Sequence, residues 1–97
     1  MLKQQRYEQA LSFFRRVLKH NPDSEKALIE TGVALNLLEE YQRAEMFLKD
    51  AHIRAPKDSA ALLWLVATNL ALADTADADH YLNKLIASVS VNQLKSI

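Results

Sequence analysis

Residues 34 positions apart keep matching along this chain, and no other feature limits its fold as sharply. Tyr7 and Tyr41, Ala10 and Ala44, Phe13 and Phe47, Pro22 and Pro56, Ala27 and Ala61, and Leu28 and Leu62 are each separated by 34. Ala44 and Leu48 lead on at the same interval to Ala78 and Leu82. The matches fall on small, aromatic and proline positions in one order, Tyr-x2-Ala-x2-Phe-x8-Pro, and that order occurs twice. A fixed period of this length is the signature of a solenoid built from one supersecondary unit, each copy burying its apolar face on the next. It moves the functional question from catalysis towards binding.

The unit is helical. One glycine and two prolines in 97 residues leave almost no turn chemistry for a β protein. Apolar residues recur at helical spacing throughout. Tyr7, Ala10, Leu11, Phe14, Val17 and Leu18 form one stripe on a helix over about 3–20. Asn21-Pro22-Asp23-Ser24 ends it, because proline disfavours helical geometry in the residue before it. Asp23 or Ser24 then caps a second helix over about 24–38. Glu39-Glu40 makes a tight connection to a third, about 41–54, and Ala55-Pro56-Lys57-Asp58 repeats the earlier stop and start. A fourth helix spans about 58–72, and Asp74 caps a fifth over about 75–88. Val89 to Ile97 is expected to be frayed or only partly helical. Short connections force neighbouring helices antiparallel. The chain therefore reads as one domain, 1–97: a half repeat (1–22, second-type helix), a repeat (23–56), a degenerate repeat (57–90) and a tail (91–97).

This pattern resembles the tetratricopeptide repeat (TPR), whose template runs W-x2-L-G-x2-Y, then A-x3-F, then P, in 34 residues. In the first full unit Leu28, Thr31, Gly32 and Leu35 stand at the opening positions, and Ala44, Leu48 and Pro56 follow in register. In the second, Leu62, Leu65, Ala78 and Leu82 fit, whereas Val66 replaces the glycine, Asn69 the tyrosine and Ser90 the proline. The half unit supplies Tyr7, Ala10, Phe14 and Pro22. The resemblance implies an all-α, right-handed TPR-like helical solenoid of about five antiparallel helices. Small residues such as Gly32, Ala10, Ala44 and Ala78 then let helix backbones approach, while Phe14, Leu28, Leu48, Leu62 and Leu82 fill the gaps between them.

The resemblance also implies where a partner would sit. In such arrays the first helix of each pair lines the concave surface, here the second and fourth helices. Lys26, Ile29, Val33 and Asn36 on the former, and Leu63, Ala67 and Leu70 on the latter with Trp64 at its edge, are the expected partner-binding residues. The fourth helix is apolar nearly all round, as expected of a helix covered on several sides. An apolar groove of this kind fits an extended segment or an amphipathic helix of another protein. A neighbouring repeat or a second copy of the chain would cover it equally well. The expected function is thus protein–protein interaction, with structural self-assembly by homodimerisation, or a small secretion-type chaperone, as alternatives. Family members that grip a C-terminal carboxylate use paired Lys and Asn residues, of which only Lys26 and Asn36 are available here.

Other function classes find little support. Twelve basic and twelve acidic residues cancel, which argues against a nucleic-acid footprint. The charge is uneven: residues 1–20 carry Lys3, Arg6, Arg15, Arg16 and Lys19 against Glu8. A solvated helix face accounts for that excess, and contact with an anionic surface is the alternative. The absence of cysteine removes disulfides and thiol chemistry and is compatible with a reducing compartment, so a cytoplasmic location is expected. No signal-peptide core and no apolar stretch long enough for membrane insertion is visible. His20, His52 and His80 have no metal-binding spacing, and no Gly-rich phosphate loop or nucleophile elbow occurs. The chain is expected to be neither an enzyme nor a cofactor binder.

Overall fold

The computed structural model describes the backbone of residues 2–95 and the side chains of residues 4–88. It contains five helices in a row: α1 (Leu2–His20), α2 (Glu25–Leu37), α3 (Tyr41–Arg54), α4 (Ser59–Ala71) and α5 (Thr75–Lys95). Each packs on its neighbours in sequence, most closely α2 with α3 and α4 with α5, and α2 also touches α4. The radius of gyration, 14.2 Å, exceeds the about 12.5 Å of a compact domain of this length. The surplus length is that of a short stacked array rather than a ball.

The turns reveal the repeat at atomic detail. Ser24 caps α2 by accepting from the Ala27 amide at 3.2 Å, and Asp58, 34 residues on, caps α4 by accepting from the Ala60 amide at 2.9 Å. Asp74 Oδ1 accepts from the Asp77 amide at the start of α5. These oxygens satisfy amides that have no partner within the first helical turn. The two tight turns are equally matched. The Glu40 amide donates to Leu35 O and the Glu39 amide to Asn36 O. At the same interval, the Asp74 amide donates to Asn69 O and the Ala73 amide to Leu70 O. Such Schellman endings put one residue in the left-handed region, normally glycine. Here it is Glu39 (φ 64°) and Ala73 (φ 59°).

The core lies between the helix layers. Leu35, Leu48 and Leu65 are wholly buried with Leu62 and Leu11 around them, each such side chain contributing about 1.5–3 kcal/mol. A second cluster joins Leu28, Ile29, Ala51 and Ala61. Gly32 lets α3 come so close that a Cβ there would lie 2.7 Å from Leu48 Cγ. Three polar side chains, Thr31, Thr68 and Asn69, are fully buried as well. Thr31 Oγ1 donates to Ala27 O at 2.6 Å and Asn69 Nδ2 to Leu65 O at 2.8 Å, while Asn69 Oδ1 has no partner among the described residues.

One expectation changes. Leu82 is expected to fill the gap that Leu48 fills one unit earlier, yet it is 39% exposed where Leu48 is 0%. The hollow over Gly32 that receives Leu48 has no counterpart at Val66, which brings a side chain of its own, and no described helix covers the far side of α5. Tyr81 and Leu85 pack into the core from α5 instead. In the segment expected to be frayed or only partly helical, α5 continues to Lys95, because no proline or glycine follows Ala87 to stop it. The side chain of Ser90 and residues 96–97 of the tail lie outside the described residues, as does the side chain of Lys3.

Candidate functional site

α2 and α4 stand side by side and run in the same direction. Near their starts Glu25, Lys26, Ile29 and Glu30 of α2 share a hollow of about 260 Å³ with Asp58 and Ala60. Near their ends Thr68 Oγ1 donates to Asn36 Oδ1 at 3.3 Å. Between these points Ile29 and Val33 pack in the second core cluster with Ala60. The surface formed by this pair has a polar end and an apolar end.

The polar end is acidic. Three carboxylates, Glu25, Glu30 and Asp58, line it against the single cation Lys26. Glu25 Oε1 is closed off from solvent. The neighbouring Asp58 carboxyl, aided by partial burial, pushes the Glu25 carboxyl above its ordinary range. Glu25 and the Ala60 amide hold Asp58 below its own.

The apolar end belongs to α4. Leu63 is 58% exposed and Leu70 59%, with the exposed Ala67 between them at i+4 and i+7 spacing, so the three form one stripe. Leu37 at the end of α2 adds a further exposed side chain. The eight residues expected from the sequence therefore divide. Lys26 is exposed at the polar end, and Ile29 is buried under α4 with Val33 half-buried beside it. Asn36 is half-buried and tied to Thr68. Leu63, Ala67 and Leu70 lie open, and Trp64 is half-buried against the main core. The repeat explains the split: Ile29 and Leu63 are equivalent positions, but α4 covers Ile29 and no described helix covers Leu63.

The acidic mouth was not among the expected residues. Asp58 carried a signal as a cap, and Glu25 and Glu30 sit on the helix face next to Lys26, but only the side-by-side packing of α2 and α4 gathers them. Elsewhere, His52 is half-buried at 6.4 Å from the Tyr81 ring, edge to face, and burial, then Lys84 and His80, lower its pKa. No three His, Asp or Glu side chains converge in a metal-holding group among the described residues. No helix there is long and apolar enough to cross a membrane.

The family model described as "Tetratricopeptide repeat" matches residues 1–24, which comprise α1 and the turn that leads to the Ser24 cap. That family generally mediates protein–protein interaction. Beyond the match, the caps at Ser24 and Asp58 and the left-handed turns at Glu39 and Ala73 carry the same unit forward at 34-residue intervals. The chain folds as an all-α tetratricopeptide-like helical repeat, and the family model matches its first 24 residues.

Proposed function

We propose that the chain is a protein-interaction module that receives an apolar segment of a partner on the exposed α4 stripe beside α2. The observation that carries this reading is the pair Leu63 and Leu70, each more than half exposed, with only Ala67 between them on that face. Large apolar side chains aligned on one face mark a surface meant to be covered. An amphipathic helix or extended strand offers matching anchors at the same spacing. The acidic mouth formed by Glu25, Glu30 and Asp58 favours a cationic group at the corresponding end of the ligand. A second reading, continuation of the stack by another repeat or a second copy, is favoured by Ile29, which is the equivalent of Leu63 one unit earlier and is covered by α4.

A peptide-display selection on the immobilised chain tests the first reading, run in parallel on Leu63→Glu/Leu70→Glu. Both substitutions fall at exposed positions, and circular dichroism checks that the variant is folded. Apolar peptides with a basic end, enriched by the wild type and lost by the variant, are the expected result. Equal enrichment by both proteins removes the α4 stripe as the site. Light scattering separates the second reading: a dimer that the variant converts to monomer assigns the stripe to self-association.

A further inference from the structure

The basic face of α1 gains a second wall in the folded chain. Arg15, Arg16 and Lys19 line an open hollow of about 510 Å³ between α1 and the turn from α2 to α3, and Arg43 of α3 lines it too. Arg43 is already occupied, donating to both Glu40 oxygens at 3.1 and 3.3 Å. Arg15, Arg16 and Lys19 make no ion pair among the described residues. Glu8 is the one other carboxylate in the lining, so a local excess of positive charge remains in a chain whose net charge is zero. The lining is also apolar in part, through the buried Leu11 and half-buried Leu38.

The cations are spread out rather than convergent. Leu11, Arg15 and Lys19 stand at successive turns of α1, about 6 Å apart along the axis. An extended peptide places alternate side chains about 6.6 Å apart on one side, which matches the row. We propose that this hollow docks an extended acidic segment of a partner protein, with an apolar side chain on Leu11 and Leu38 and carboxylates at alternate positions on Arg15 and Lys19. Arginine suits the task because its planar fork binds a carboxylate through two parallel N–H bonds. The site lies apart from the α4 stripe, so it stands or falls independently of that reading.

Fluorescence anisotropy with a fluorescein-labelled peptide, Ser-Leu-Ser-Glu-Ser-Glu-Ser, tests it on the full chain. The expected result at low ionic strength is a Kd on the order of 100 µM, because exposed ion pairs are individually weak. Replacing both glutamates of the peptide with glutamine should weaken binding by about tenfold or more. Arg15→Glu/Lys19→Glu should do the same, and Arg15→Gln/Lys19→Gln repeats the measurement without new negative charge; both positions are exposed, and circular dichroism verifies the folding of each variant. Leu63→Glu/Leu70→Glu should bind as the wild type does. Unchanged affinity in the α1 variants, loss of binding in the α4 variant, or no binding by about 1 mM peptide would overturn the proposal. Full displacement of the peptide by an equal concentration of inorganic phosphate would also overturn it, in favour of a simple anion site.

Discussion

Replacing the single glycine with alanine probes the closest helix contact in the molecule. In an isolated helix Gly32→Ala would be favourable by about 0.8–1.0 kcal/mol. In the folded chain the added methyl would lie 2.7 Å from Leu48 Cγ, 2.8 Å from Leu48 Cδ2 and 3.4 Å from Ala44 O. Carbon atoms settle at about 3.5–4.0 Å, so the contact is short by nearly 1 Å. Leu48 Cγ is a branch point rather than a free end, and Leu48 is 0% exposed, so it can yield only by leaving its place in the core or by pushing α3 away. Overpacking of this kind costs about 1–3 kcal/mol. The difference leaves a net loss on the order of 1 kcal/mol, from a total stability of about 5–15 kcal/mol for a chain this size. The partner variant Leu48→Ala removes both clashing atoms. In that background Gly32→Ala should reverse sign and stabilise by about 0.5–1 kcal/mol. Urea denaturation followed by far-UV circular dichroism reads all four proteins of the cycle. Because Leu48→Ala alone costs about 2–5 kcal/mol, a fixed concentration of a stabilising osmolyte keeps every baseline folded. Equal effects of Gly32→Ala in the two backgrounds, or stabilisation of the wild type, would refute the reasoning.

Three further outcomes follow from particular residues. Ala73→Gly and Glu39→Gly each relieve a left-handed residue and should raise stability by about 0.5–1 kcal/mol, seen as a higher urea midpoint at unchanged slope; a lower midpoint counts against the assigned turn geometry. Asn69→Leu removes a buried acceptor without a partner and installs the residue found at the equivalent Leu35, so it should stabilise by about 1–2 kcal/mol; a destabilised variant would mean that the Asn69 oxygen is satisfied. His52 has a folded pKa below its ordinary 6.5, so its contribution is fully present above pH 6.5 and is lost as pH falls through that value towards the folded one. Lys84, His80 and the Tyr81 ring face it, and protonation adds a charge beside the first two. His52→Gln should therefore flatten the decline in urea midpoint on acidification from about pH 7 to pH 5, and an equally steep decline would assign it to other groups.

Much of this architecture can be read along the chain, since helices, caps and turns depend on neighbours in sequence. The stripe Tyr7, Ala10, Leu11, Phe14, Val17 and Leu18 does turn inwards, and Ser24, Asp58 and Asp74 do cap. The 34-residue interval also matched the tight turns, because their hydrogen bonds close within six residues. What periodicity could not settle is which equivalent positions are covered. Ile29 and Leu63, or Leu48 and Leu82, look alike in sequence, but burial depends on whether another helix lies beyond them. The same holds for charge. Glu25 and Asp58 lie far apart in sequence and become a pair only where α2 lies against α4, and Arg43 joins the α1 cations only through the α2–α3 turn. Local bonding is written in short stretches of residues; burial and electrostatic environment are properties of neighbours that only the tertiary packing supplies.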